Sequence, residues 1–548
     1  MSETKKATGI KTLLVGWDGA TFTVLNELMA QGVMPFLKSF LEGGVRANLR
    51  TIVPALTPPA WTSLMTGRTP GYHGVFDFFR FEGQNSKHIR FFTSSDVQTE
   101  TIWNLASKNG LRAASMNFPS MYPAPHISGN VVPGWVPWRQ MRLACWPKDL
   151  FDRLKALPEV TLRELGMDIK LEEKSTEGVG TREEYGPWIE FHTRRERNWF
   201  EIYKYLAATD PSELTAVLFD GVDKMQHLCW RFIRPIDAQP LKEEWEFAVR
   251  ELCLNYYRQL DSIFQQMVEL AGPKATVVLA SDHGFGPTYE VFNVNTWLAK
   301  KGYLEWSEAA ANQEKQTALL GVGQVARHTW LLDWNKTRAF ATTPTSNGIN
   351  IVVSQDGTGP GVPAAEYQAF RNRLVEELRE VRSPEDGERI ITGIFTREEI
   401  FPGPCGHLGP DITLEMRDGG LISILPGDEF VSQRPVVSGA HRPLGIFGAK
   451  GPGVKKGFDA GEISILDVAP TILYSLGLPV YKDLEGRVPQ EIFEKAMLED
   501  KPVKVSTSAA TGDGKEEEEK QTDSEAAEMS EEDERVVMER LRELGYIE

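Results

Sequence analysis

The chain has 548 residues, 41% hydrophobic and 25% charged, a globular composition that excludes a fibrous or wholly disordered protein. Its 60 Lys and Arg face 77 Asp and Glu, and a net charge of −17 without a basic face excludes nucleic acid as a general partner. Four scattered cysteines (Cys145, Cys229, Cys253 and Cys405) make no disulfide framework. No run reaches the ~18 uninterrupted apolar residues of a membrane span, so the expectation is a soluble, cytoplasmic protein with no membrane partner.

Thr12–Trp17 (TLLVGW) is a β-rich run ending at Asp18-Gly19. Helical patterns follow over Thr21–Gln31 and Met34–Glu42, the second stopped by Gly43-Gly44. Arg46–Val53 reads as a strand, Thr101–Asn109 as a helix and Leu111–Met116 as the next strand. The alternation is lost from about 122 to 205, a Trp-rich stretch containing Arg194, Arg195 and Arg197, which reads as an insertion over the sheet edge. It resumes with a strand at Leu214–Phe219, a long helix around Glu244–Leu270, a strand at Ala275–Ala280 and a helix at Asn295–Lys301. A second insertion covers about 308–333, and Ile463–Leu476 reads as the final helix. The pattern predicts an α/β domain over residues 1–500, with a mostly parallel central sheet, helices on both faces and inserted cap segments. Residues 501–530 are polar and acidic, the composition of a disordered linker, and 531–548 recover a short amphipathic helix.

Three of the apolar strand runs deliver an aspartate at or just beyond their C-terminal ends: Asp18, Asp223 and Asp282. Ligand sites of open parallel sheets lie beyond those ends, although any single Asp there is ordinary turn chemistry. Asp223 is followed at i+4 by His227, one helical face and the spacing of two ligands of one metal. His283 follows Asp282 directly, and Gly284 permits the sharp turn that aims both at one ion. His441, in the Gly-flanked SGAHRPLG, supplies a late ligand. An Asp/His set without Cys suits a catalytic Zn²⁺ or Mn²⁺. Thr57, in ALTPPAW, has N-cap chemistry, with Pro58 at the first helical position and Gly67 past the end. Such a hydroxyl faces the positive end of a helix dipole, where phosphate binds, and a cation beside it would ionise it into a nucleophile.

In this order, VGWDGAT, PALTPP, TGRTPGYHG, DKMQH, SDHGFGP, GAHRPLGIF and ILDVAPTILYSLGLP resemble the alkaline phosphatase superfamily, in its type I phosphodiesterase/nucleotide pyrophosphatase branch. The resemblance runs from about Thr12 to Pro489. It implies two divalent ions, usually zinc with manganese as the alternative. One would be held by Asp223, His227 and His441, the other by Asp18, Asp282, His283 and the Thr57 oxygen. It also implies in-line attack by Thr57 on a small phosphate ester, diesters favoured over monoesters, and a phosphorylated Thr57 that water then hydrolyses. Three aspartates and one alkoxide balance two divalent cations.

Two departures bear on the substrate. Nucleotide-cleaving members carry an Asn shortly after the HG motif, where HGVFDFFR has Phe78, and this weakens the case for a nucleotide. TPPAW lacks the Cys or Ser of a sulfatase. In the resembled family His73 supports its loop instead of binding metal, and Cys405-Gly406-His407 reads as an ordinary loop. A phosphomutase of the phosphoglycerate mutase type is disfavoured by Thr57 standing where those enzymes use Ser. A non-catalytic binding protein retaining the fold is disfavoured by the retention of all seven residues.

Overall fold

The computed structural model describes residues 9–81, 89–167, 180–235, 239–308, 331–354 and 359–507. The first nine strands are β1 (Thr12–Trp17), β2 (Val45–Arg50), the hairpin β3–β4 (Phe79–Phe81 and Ile89–Phe91), β5 (Ala113–Met116), β6 (Gly129–Val132), β7 (Leu214–Phe219), β8 (Thr276–Ala280) and β9 (Gly284–Asn293). Successive side chains of a strand point to opposite faces, and β1 is buried along its whole length. Leu13, Val15 and Trp17 enter one core and Leu14 the other. Val217 and Phe219 of β7 divide from Leu214, Ala216 and Leu218 in the same way. Strands apolar on both faces must be covered on both, which places them in the middle of a parallel sheet.

That sheet has eight strands, in the order Phe458–Ser464, β2, Leu444–Lys450, β8, β1, β7, β5, β6. All run the same way except Leu444–Lys450, which is antiparallel to both β2 and β8. Helices α1 (Phe22–Ala30) and α2 (Pro35–Glu42) and the long helices Arg182–Thr209 and Glu244–Ala271 cover one face. Helix α3 (Thr57–Thr66) and the helices Ile102–Lys108 and Val468–Ser475 cover the other. A third core, built on Phe292, Trp297, Leu374, Ile412 and Leu414, holds together a four-stranded antiparallel sheet, Ala339–Ala341, Gly348–Ile351, Ile412–Met416 and Ile391–Thr396. The α/β architecture with a mostly parallel central sheet and helices on both faces is thus as expected.

Three expectations need correction. The stretch 122–205 is not all an insertion over the sheet edge, because β6 is itself the edge strand, paired parallel to β5 from Ala113↔Gly129 to Met116↔Val132. Arg182–Thr209 is a 28-residue helix packed against Glu244–Ala271. The helix expected over Ile463–Leu476 starts at Val468, since Ile463 belongs to the edge strand Phe458–Ser464, and it is not the final one, because a short helix follows at Lys495–Asp500. The acidic linker does not begin at Lys501. The Tyr474 hydroxyl donates to the Lys501 carbonyl (2.7 Å), and Val505–Ser506 pairs with Val480–Tyr481. Most of the insertion at 308–333, the rest of the linker and the terminal helix at 531–548 lie outside the described residues. Among the described residues no helix is long and apolar enough to cross a membrane.

Candidate active site

Adjacent parallel strands β7, β1 and β8 end at one edge of the sheet, and the turns and helix beyond those ends build the site. Asp18 comes directly after β1, and its N–H donates to the Phe219 carbonyl at the end of β7 (3.0 Å). Beyond β7 the helix Gly221–Ile233 presents Asp223 and His227 one turn apart. Beyond β8 come Asp282 and His283, and the Gly19 N–H donates to Asp282 Oδ1 (3.1 Å), stitching the first and third turns together. Gly19 has φ +66°, and a Cβ there would lie 2.9 Å from the Phe285 ring. A side chain at that position would both strain the backbone and push Phe285 from the site. His441 arrives on the strand Val431–Arg442, antiparallel to β9, which sets it opposite Phe285.

All seven expected residues meet in one buried cluster. His283 Nε2 lies 3.1 Å from Thr57 Oγ1, 3.3 Å from Asp282 Oδ2, 3.6 Å from Asp18 Oδ1 and 3.9 Å from Asp223 Oδ1. Asp223 Oδ1 is 3.2 Å from His441 Nε2 and 3.4 Å from His227 Nε2, and the two imidazole nitrogens are 3.0 Å apart. The tightest triads are Asp18–Asp282–His283 and Asp223–His283–His441. His283 therefore sits between two groups, with His227 completing the second from the far side of His441.

The donor chemistry fits two cations. Each histidine places Nδ1 against a backbone carbonyl: His227 on Gly439 (3.1 Å), His283 on Gly284 (3.1 Å) and His441 on Ala55 (2.8 Å). A carbonyl only accepts, so Nδ1 carries the hydrogen and each Nε2 turns a lone pair inward, the arrangement of metal-ligating histidines. Two such lone pairs 3.0 Å apart repel unless a proton or cation lies among them. Asp18 Oδ1, Asp223 Oδ1 and Asp282 Oδ2 are buried with no hydrogen-bond partner, and all three point into the same space. Burial, reinforced by Asp282 and Asp223, pushes Asp18 well above the usual carboxylate range. Burial and Asp223 push Asp282 up to about 7. Burial would raise Asp223 too, but His227 and His441 hold it well below its ordinary value. Burial, then His441, holds His283 neutral. Two crowded acids, each with one buried oxygen left without a hydrogen-bond partner, are a site short of positive charge.

Thr57 departs from its expected role as a cap. It is the first residue of α3; Leu56 occupies the cap position, and no side chain caps this end. The donors that a cap would satisfy belong to the second and third helical residues, here Pro58 and Pro59, which have no N–H. The Thr57 hydroxyl is left to face His283. His73, as expected, is structural: it is buried, its Nε2 lies 2.9 Å from Ser63 Oγ, its Nδ1 accepts from the Val75 N–H, and burial drives it down to about 3. Cys405 Sγ donates to the Tyr72 carbonyl (3.6 Å) and His407 Nδ1 lies 2.9 Å from the Pro404 carbonyl, so neither joins the cluster.

The structure adds residues that sequence reasoning missed. Trp61 Nε1–H donates to Asp18 Oδ2 (3.3 Å) and Gln226 Nε2–H to the Gly19 carbonyl (2.7 Å). Behind the site Arg195 Nη1 lies 3.3 Å from Asp220, and Lys224 Nζ is 3.7 Å from the same carboxylate and 5.0 Å from the Trp135 ring centre. The Trp/Arg-rich stretch thus serves packing through Trp188, Trp199 and Arg195, and lines the site through Trp135.

The structure of murine ectonucleotide pyrophosphatase / phosphodiesterase 5 aligns with a TM-score of 0.51 at 13% identity, covering 88% of this chain and all of that one. Its human counterpart aligns with a TM-score of 0.50 at 13% identity, covering 88% of this chain and 99% of its own. An inactive form of the murine protein in complex with AMP gives 0.50, also at 13% identity, over 88% of this chain and all of that one. At such identity the likeness is one of fold. The sequence itself carries the assignment: the model of the type I phosphodiesterase / nucleotide pyrophosphatase family matches residues 12–423, from the first residue of β1 through Asp18, Thr57, Asp223 and Asp282, and the chain belongs to that family.

Proposed function

We propose that the protein is a metal-dependent hydrolase of phosphate esters, diesters before monoesters, with Thr57 as its nucleophile. The observation that carries this reading is a threonine hydroxyl, freed from capping by two prolines, 3.1 Å from His283 Nε2 among three partnerless carboxylate oxygens. Asp223, His227 and His441 would hold one divalent ion, and Asp18, Asp282, His283 and the Thr57 oxygen another, zinc or manganese. When bound, such ions supply Lewis acidity to the phosphoryl oxygens and lower the pKa of a coordinated hydroxyl.

Thr57 Oγ1 attacks phosphorus, the bond from phosphorus to the departing alcohol oxygen breaks, and the phosphoryl group rests on Thr57. Water then attacks the same phosphorus and releases the threonine. The Thr57 N–H has no acceptor within its own helix and lies at the positive end of α3, where it favours the anionic group being transferred. The carbonyls of Ala55, Gly284 and Gly439 hold the three imidazoles in one tautomer throughout. All four cysteines are buried free thiols, which supports a reducing compartment such as the cytoplasm.

Acid quench during turnover of bis-p-nitrophenyl phosphate tests the mechanism. A phosphorylated peptide spanning Thr57 is expected, and a Thr57→Ala variant hydrolysing this diester at the wild-type rate overturns it.

A further inference from the structure

A cavity of about 580 Å³ opens onto Thr57, Asp223, His227 and His441, a volume typical of small-molecule sites. Away from those residues its wall is largely apolar, with Phe78, Phe79, Phe91, Trp135, Leu414 and Met416 prominent. Four of the polar side chains in the wall are engaged elsewhere. The Thr345 hydroxyl donates to Asp77 (2.6 Å) and that of Thr392 to the Glu415 carbonyl (3.1 Å). Arg417 holds Glu290 (2.7 Å) and Asp386 (2.8 Å), while Arg442 donates to the carbonyls of Pro287 and His441. Lys224, Asn347, Glu415 and Asp418 complete the polar part of the lining.

The aromatic residues are also closed on one another. Phe78 and Trp135 have ring centres 5.8 Å apart, and Phe79 and Phe91 are 5.0 Å apart. Rings already in contact leave no slot for a third between them, so neither pair can sandwich a nucleobase. What they present is apolar surface in the same cavity as the nucleophile.

We propose that this cavity takes the aliphatic part of the substrate, which is a phosphodiester of a long-chain alcohol and not a nucleotide. The assignment rests on the phosphodiesterase reading of the same site. The phosphate stands at Thr57 and the chain runs along Phe78, Trp135, Leu414 and Met416, where burial of each methylene strengthens binding about fourfold.

A series of n-alkyl p-nitrophenyl phosphates, from methyl to decyl and below their micellar concentrations, tests this on the full-length, zinc-supplemented protein. The expected result is a kcat/KM that rises about fourfold per methylene until the cavity fills. Phe91→Ser should flatten that slope. A geranyl ester run beside the decyl ester separates an isoprenoid from a straight chain, either preference supporting the proposal. Calorimetric binding of decyl phosphate, methyl phosphate and AMP to Thr57→Ala gives a readout without turnover, and decyl phosphate should bind at least a hundredfold tighter than methyl phosphate. A flat chain-length dependence overturns the proposal, as does tighter binding of AMP or faster cleavage of the thymidine monophosphate p-nitrophenyl ester. The two readings fail separately. Thr57-dependent cleavage of the methyl ester with a flat slope removes only the aliphatic site, whereas chain-dependent binding without turnover of any diester removes only the phosphodiesterase.

Discussion

Thr57 stands before two prolines, and that pair decides what its hydroxyl does. A threonine at a helix start ordinarily accepts from the second or third helical N–H, and losing it costs about 1 kcal/mol. Here Pro58 and Pro59 remove those donors. Thr57→Ala should therefore change unfolding free energy by less than about 1 kcal/mol while turnover falls on the order of a thousandfold. Thr57→Ser should keep turnover within about tenfold of wild type, since the hydroxyl survives. Chemical denaturation and steady-state kinetics on the same preparations check both. Asp223 with His227, and Asp282 with His283, were legible in their short spacings, whereas Asp18, Thr57 and His441 joined them through motifs that resemble those of the family. Ala55 and Gly439 were not legible, since any residue type can offer a backbone carbonyl to a histidine. Trp61 was hidden for another reason: a tryptophan in a buried helix reads as core, and only the fold reveals that its N–H reaches Asp18.

The helix Arg182–Thr209 shows how a strong periodicity can be overlooked. Tyr185, Trp188, Ile189, His192, Arg195, Glu196, Trp199, Tyr203 and Leu206 are all buried at three- and four-residue intervals, an unbroken helical stripe. The stripe is hard to recognise because Arg195 and Glu196 count as surface residues by type, and they interrupt an otherwise aromatic face. They are buried because they have partners. Arg195 meets Asp220, and Glu196 Oε1 accepts from the Gly221 N–H (2.7 Å) and the Tyr256 hydroxyl (2.9 Å). Burial, with Asp220 nearby, pushes Glu196 up to about 8 from an ordinary 4.5. The folded protein thus retains a proton that the unfolded chain releases above about 4.5, so this group makes stability fall as pH rises from about 4.5 to about 8. Glu196→Gln, whose amide oxygen can accept both hydrogen bonds, should raise the Tm more at pH 8 than at pH 5, and thermal melts at the two values check it. The C-terminal boundary is obscured for the opposite reason. Lys501–Thr507 is polar in composition, but its backbone is held: Val480 N–H donates to Lys504 (2.8 Å) and Lys482 N–H to Ser506 (3.0 Å). Ending the chain after Thr507 should leave the Tm nearly unchanged, while ending it after Asp500 should lower the Tm by a few degrees, a difference that calorimetry resolves.

Over the whole molecule, the cluster joins segments from Asp18 to His441, and cations bound there would clamp β1, β7, β8 and the strand carrying His441 together. Carefully prepared protein should contain close to two equivalents of divalent transition metal by elemental analysis. Exhaustive chelation should abolish activity and lower the Tm by several degrees, with both restored by Zn²⁺ or Mn²⁺, because an ion that binds only the folded state adds its binding free energy to stability. The fold class was legible at this scale because runs such as TLLVGW and LTAVLF carry apolar residues on both faces, which a doubly covered parallel sheet accommodates.

The strand order has a bearing on how the protein is made. β1 pairs with β7 on one side and β8 on the other, Thr12 facing Leu214 and Thr276. A ribosome adding roughly 5–20 residues per second needs on the order of tens of seconds to reach even the nearer partner. Throughout that interval the nascent chain carries TLLVGW with neither of its strand neighbours yet synthesised. A strand buried along its whole length thus waits unpaired, and cellular yield will depend on how well that segment is sheltered during translation, quite apart from the stability of the finished protein.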